Sequence, residues 1–190
     1  MLVVQWGACK ARLWVNELPI WEYAIGEVVE RRYNVPERDS SLARSAALEV
    51  WIPIGGRAYY GGLAVAYTPR EQEVLVVQVP LSVGNGIPVQ DSLAGKGEMP
   101  YTGLLPEYVD GVFRGLMQAE YISQLGSGTL QVRGALHGKI GSSLWLFEVL
   151  GSMLIQLLIL ETLPLSEAGL IELLQREIRL KRRLFEGRTA

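Results

Sequence analysis

Short apolar runs separated by Gly, Pro and polar turn residues recur through much of the first 80 positions. Met1 to Trp6 and Ala11 to Val15 read as two short strands around Gly7-Ala8. Leu48, Val50 and Ile52 alternate with Glu49, which predicts a strand running into a Gly55-Gly56 turn. Leu63 to Tyr67 and Val74 to Val79 are runs rich in β-branched residues joined by Thr68-Pro69-Arg70-Glu71-Gln72, the pattern of a hairpin. Pro19 to Tyr33 carries a mixed signal, because Trp21, Ile25, Val28 and Val29 fit helical spacing. Asn34 to Ser41 is a polar loop of Pro and turn formers.

The period lengthens after Thr102. Leu105, Tyr108, Val109, Val112 and Leu116 fall on one face of a predicted helix. Gly111 and Gly115 lie one turn apart in it, where missing side chains permit close packing on a sheet at roughly 1 kcal/mol of helix propensity each. Gly126-Ser127-Gly128 ends that unit. Leu130, Val132 and Leu136 then alternate with Gln131, Arg133 and His137, a strand with one polar face. Leu144 to Leu163 is an apolar helix, Pro164 follows, and Ser166 is the expected N-cap of a last helix with Ile171, Leu174 and Ile178 in a stripe. The Gly- and Pro-rich stretch 82–102 is longer than loops in compact domains usually are, which points to function or mobility. The order of elements predicts an α+β domain over residues 1–165, with one sheet and helices on one face, and a C-terminal amphipathic basic helix over 166–190.

Composition narrows the function classes. The 190 residues are 49% hydrophobic and 20% charged, a globular balance in a chain long enough to bury a full core. Eighteen basic against 20 acidic residues give a net charge of −2, so no global field recruits nucleic acid. Charge is local instead. Arg176, Arg179, Lys181, Arg182, Arg183 and Arg188 stand against Glu177 and Glu186, a basic patch of +4 that leaves −6 elsewhere. Cys9 and His137 are each the single residue of their type, which excludes an intrachain disulfide, a cysteine zinc cluster and a two-histidine metal site. The first residues lack the regions of a signal peptide, and a reducing cytoplasm is the expected compartment. Leu144 to Leu163 has the length of a membrane span but holds Glu148, Gln156 and Glu161. A carboxylate there costs on the order of 3 kcal/mol on insertion, so a buried core helix and no membrane partner are expected.

Four segments carry a family resemblance. Gly55-Gly56-Arg57-Ala58-Tyr59-Tyr60-Gly61-Gly62 resembles the G-G-R-x-x-Y-G segment in the fourth domain of elongation factor G. Leu105-Pro106-Glu107-Tyr108 resembles the I-P-x-E-Y-I helix start of that domain, and Arg114-Gly115-Leu116 falls where the family has a basic residue, a Gly and an apolar one. Leu136-His137 followed by Gly138, then Ser142-Ser143 and an apolar helix, resembles its strand–tip–helix unit R-L-H-x-G … D-S-S. Pro19 to Ile25 faintly echoes the first strand, which would make part of that ambiguous stretch extended. The resemblance spans about residues 19–160. It implies a left-handed βαβ fold shared with the second domain of ribosomal small-subunit protein five, and a ribosome- or RNA-contacting tip. The family's long tip loop shrinks here to Gly138-Lys139-Ile140-Gly141, and no Walker A sequence is present, so no GTPase activity is expected.

Each candidate has two readings. Arg57, Tyr59 and Tyr60 suit stacking on unpaired bases and phosphate contact, or an ordinary turn with packed tyrosines. His137 suits RNA contact or proton transfer, or a polar strand end; no Asp, Cys or second His lies near it in sequence. Lys139 is the basic residue of the tip. Arg176, Arg179, Arg182 and Arg183 form a secondary basic patch for RNA or anionic lipid, or a solvated helix end favoured by the macrodipole. Gly138 to Ser143 also resembles the G-[LI]-G-S-S phosphate loop of the galactokinase and homoserine kinase group, though Gly-Ser-Ser equally suits a helix start. Cys9 lacks a partner base. The expected function is non-enzymatic ribosome or RNA binding, with no catalytic residue, metal or cofactor. The alternatives are a protein-interaction or scaffolding module, including a homo-oligomer, and then a phosphate-binding enzyme.

Overall fold

The computed structural model describes residues 1–35, 43–70, 73–95, 97–160 and 166–188. Within them eight strands form one mixed sheet and four helices pack on it: β1 (Leu2–Trp6), β2 (Cys9–Val15), β3 (Ile25–Asn34), β4 (Arg44–Ile54), β5 (Arg57–Pro69), β6 (Val74–Ser82), β7 (Pro100–Thr102), α1 (Val109–Leu116), α2 (Ala119–Leu125), β8 (Gly128–Gly138), α3 (Leu144–Ile159) and α4 (Glu167–Arg188). The strand order is β1-β2-β4-β5-β8-β6-β3, with β7 paired to the far end of β8. The architecture is α+β, as the sequence pattern predicts.

The hairpin expected from Leu63–Tyr67 and Val74–Val79 is not a paired one. β8 enters between the two strands, antiparallel to β5 and parallel to β6. A local turn signal describes how the chain reverses; which strands then pair depends on a third segment some 60 residues on. Pro19 to Tyr33 resolves in favour of the strand, since β3 pairs with β6 from Ile25 to Asn34 and forms one sheet edge. Of the Asn34–Ser41 loop only the first two residues are described, and Glu71, Gln72, Lys96, Glu161, Leu163 and Pro164 also lie outside the described residues.

α3 organises the helical face. Its residues from Trp145 to Leu158 are buried on every side, because β4 and β5 lie beneath it and α1, α2 and α4 around it. That encirclement explains an apolar helix without a polar stripe; no helix among the described residues is long and apolar enough to cross a membrane. The glycines of α1 serve this helix and not the sheet. A Cβ on Gly115 would stand 2.4 Å from the Glu148 carbonyl oxygen and 2.8 Å from the Gly151 Cα, and one on Gly111 would stand 2.3 Å from the Leu144 carbonyl oxygen. The two helix backbones cross in contact.

Glu148 is expected near the helix edge and is instead internal. It is 4% exposed and meets Lys181 Nζ of α4 at 3.4 Å. Glu177 accepts hydrogen bonds from Ser152 Oγ and from Gln156 Nε2 (3.0 Å), and Gln156 Oε1 accepts from Arg176. Leu170, Leu174 and Ile178 complete the α4 interface, and the Ser166 hydroxyl caps the helix by accepting from Gly169 N at 3.1 Å.

The opposite face of the sheet has its own apolar cluster. Trp21, Ala47, Tyr60, Ala64 and Leu136 are buried there under Val89, Leu93 and Ala94 of the 82–102 segment. That long segment is therefore a lid of structural cover. Gly86, Val89 and Thr102 tie it to itself by backbone bonds of 2.9 to 3.0 Å, and β7 anchors it to β8.

Candidate nucleic-acid interface

Gly55 and Gly56 both have left-handed backbone, φ +59° and +80°, as the two-residue type I′ hairpin turn requires. Ile54 pairs with Arg57 directly across it, so β5 begins at Arg57 and the segment through Gly62 is strand, not loop. Alternation then separates the candidates. Arg57 and Tyr59 project to the helical side with Leu63 and Val65, whereas Tyr60 projects to the covered side with Ala64. Arg57 is exposed. Tyr59 is half-buried and meets Trp145 edge-to-face, with ring centroids 5.0 Å apart.

Tyr60 is fully buried and leaves the set of contact candidates. Its hydroxyl donates to Glu49 Oε1 at 3.0 Å, where Leu93 N also donates at 2.7 Å. Arg12 Nε stands 3.1 Å from Glu49 Oε2 and its Nη1 stands 3.0 Å from Asp91 Oδ1. Burial raises the Glu49 carboxyl above the usual carboxylate range, against the Leu93 amide, Arg12 and the Tyr60 hydroxyl. Burial and then the Glu49 charge raise the Tyr60 phenol. This cluster clasps the 82–102 cover to the sheet. A glutamate inside the apolar run Leu48–Ile52 is the sequence signal that could have marked it.

His137 is likewise internal, at 2% exposure. A register shift in the β5–β8 ladder leaves Arg133 without a partner between Val132 and Gly134, which reverses the inside–outside phase beyond it. The polar face expected for β8 therefore ends at Arg133. His137 Nδ1 donates to the Gly103 carbonyl at 2.9 Å, the Asn85 side-chain amide lies 3.4 Å from Nε2, and the Tyr101 and Tyr108 rings flank the imidazole. Burial pushes its pKa down, with the Gly103 bond and Glu107 opposing. It is a packed residue holding the start of the α1 segment.

The Gly138–Gly141 tip stands at the same end of the sheet as the Gly55–Gly56 turn, and Tyr60 N donates to the Gly141 carbonyl at 2.9 Å. Lys139 is exposed and extends the other way, its Nζ 5.8 Å from the Tyr101 ring centre. The amides that would cradle a phosphate in a kinase-like loop are already engaged. Glu98 Oε1 accepts from Ile140 N (3.3 Å) and Gly141 N (2.8 Å), and Ser142 Oγ accepts from Gly138 N (2.9 Å). Ser143 caps α3 by accepting from Leu146 N at 3.2 Å. Among the described residues no group of three His, Cys, Asp or Glu could hold a metal.

The basic run of α4 is divided by helical geometry, about 100° per residue. Lys181 points inward to Glu148, Arg176 donates to Gln156 at 2.6 Å, Arg179 turns back to the Gln175 carbonyl at 3.2 Å, and Arg183 is exposed. Arg182 alone of these joins the turn. It lines a groove of about 470 Å³ with Gly55, Arg57, Tyr59, Ser143 and Trp145. Trp145 belongs to no motif and is missed by sequence reading; it is 7% exposed, and its indole Nε1 has no hydrogen-bond partner among the described residues. Comparison with family models, curated proteins and solved structures finds no match.

Proposed function

We propose that this is a non-enzymatic protein that binds single-stranded RNA, on the ribosome or free, through the end of the sheet bearing the Gly55–Gly56 turn. The observation that carries the reading is the groove. Two guanidinium groups and two aromatic rings line it, and its described lining residues include no carboxylate, in a chain whose net charge is −2. The resemblance to the fourth domain of elongation factor G supports the same end of the molecule. The parallel β6–β8 pair, with α1 and α2 between, is where the implied βαβ unit would sit.

Ribosome co-sedimentation and single-stranded RNA binding over a salt series test it. Arg57→Ala and Lys139→Ala should each weaken binding and reduce the log–log salt slope by about 0.7 per lost phosphate contact. Binding that ignores salt and both substitutions would contradict the reading.

The edge strand β3 favours a second reading, a protein-interaction module. Ile25 and Val28 are 59% and 48% exposed on an edge strand that pairs, among the described residues, with β6 alone. A concentration-dependent oligomer broken by Val28→Lys, in a protein that leaves RNA unbound, would select it.

A further inference from the structure

We infer that β3 is the interface of a homodimer: two copies pair this strand antiparallel about a two-fold axis, with Glu30 of each opposite Arg32 of the other. The inference rests on the reading of β3 as a docking edge and names its partner; it does not depend on RNA binding at the turn. Position is the first argument. β3 and β1 end the strand order, and β3 has ten residues against five. Val35 N donates to the Glu73 carbonyl at 3.3 Å, and the register continues with Tyr33 on Leu75, Arg31 on Val77 and Val29 on Val79. Alternation therefore turns the N–H and C=O groups of Val28, Glu30, Arg32 and Asn34 away from β6. Among the described residues no other strand pairs with β3.

Charge is the second argument, and it selects another copy of this chain. Charged edge strands commonly repel one another, which protects them from pairing. In β3 the acidic residues Glu27 and Glu30 come first and the basic residues Arg31 and Arg32 follow. An antiparallel copy sets its basic half against the acidic half, and opposed charges of opposite sign attract. The outward groups sit on alternate residues, so the axis passes through a residue and not between two. Centred on Glu30 or Arg32 it opposes like charges, and centred on Val29 it draws in the register shift between Ile25 and Glu27. Centred on Arg31, Glu30 faces Arg32 twice on one side of the sheet. On the other side Val29 faces Tyr33 twice, both half-buried beside the core. Glu30 Oε1 already accepts from Arg32 Nε at 2.9 Å, and Oε2 from Gln78 Nε2 at 3.1 Å, so the four charges alternate in one network. The Arg31 guanidinium is drawn off the axis, 4.1 Å from its own Phe113 ring centre and 3.0 Å from Asp110 Oδ1. Such an interface is isologous and closes as a dimer, whereas β3 on β1 would propagate.

Sedimentation of the whole chain, without RNA, over a concentration series tests the dimer, together with hydrogen exchange of the β3 amides. Wild-type protein should pass from monomer to dimer as concentration rises. The Glu30 and Arg32 amides should then exchange more slowly, while those of Val29 and Arg31, held by β6, should change little. Glu30→Arg and Arg32→Glu should each weaken the dimer at least about tenfold, because each sets like charges opposite in two symmetric pairs. Both positions are exposed, so circular dichroism spectra should be unchanged. Glu30→Arg combined with Arg32→Glu restores opposite charge and should return the affinity to within about threefold of wild type. A monomer at every concentration up to about 1 mM overturns the homodimer and leaves β3 as an edge for a different protein. A dimer indifferent to both charge reversals overturns the pairing. If Val28→Lys still breaks that dimer, the docking edge stands; if β3 exchange is also unchanged by dimerisation, the edge reading falls with it.

Discussion

Replacing Lys181 by methionine removes one charge from the α3–α4 interface and little volume. Lys181 Nζ lies 3.4 Å from Glu148 Oε1 and 3.9 Å from Glu177 Oε1, and the three side chains are 6%, 5% and 2% exposed. The substitution leaves two buried carboxylates without their shared cation. Breaking a buried ion pair from one side costs about 3–5 kcal/mol. Glu177 keeps its bonds from Ser152 and Gln156, which sets the loss near the lower end, about 3 kcal/mol. At roughly 2–4 °C per kcal/mol for a chain of this size, Tm should fall by about 6–12 °C. Arg183 is the control. It sits two residues along the same basic run but is exposed, and Arg183→Met should change stability by less than about 0.5 kcal/mol. Thermal and urea unfolding followed by circular dichroism measure both. Equal losses for the two variants, or a Lys181→Met protein within about 0.5 kcal/mol of wild type, would refute an internal lysine.

Gly115→Ala should destabilise by about 1–3 kcal/mol through the clash with the α3 backbone, despite a gain of about 1 kcal/mol in helix propensity; a stabilised variant in urea melts would mean the helices do not cross there. Tyr60→Phe should cost about 1.5–3 kcal/mol by removing an O–H donor from buried Glu49, and should speed proteolysis within 82–102; unchanged stability and cleavage would argue against the clasp. His137 has a depressed folded pKa, so the unfolded chain binds the extra proton. Its stabilising contribution is full above about pH 6.5 and falls below it by at most about 1.4 kcal/mol per pH unit, until the lowered folded pKa is passed. His137→Gln should flatten unfolding free energy measured between pH 7.5 and 5, and an unchanged slope would contradict the burial.

Much of the scaffold is legible because its signals are local. Alternation in Leu48–Ile52 is enough for β4, the Leu105–Leu116 stripe for the first helical unit, and Ser166 for the start of α4, since each depends on neighbours within a turn or a strand. The site candidates are less legible. Arg57, Tyr59 and Tyr60 look alike in a Gly-rich segment until the turn is known to occupy two residues, after which strand alternation sends Tyr60 into the covered face. His137 looks polar-faced until the ladder shift at Arg133 reverses the phase.

Periodicity and capping, which act over a few residues, thus specify the elements and their order from the amino-acid sequence. Pairing and burial are long-range, and folding alone determines them. The insertion of β8 between β5 and β6, the crossing of Gly115 on Gly151, and the choice of Lys181 over Arg183 as the inward cation each depend on segments distant in the chain. So does the meeting of Arg57, Trp145 and Arg182 in one groove. No local pattern encodes these contacts, because their free energy comes from desolvation and contact between surfaces that exist only once the sheet and helices have assembled.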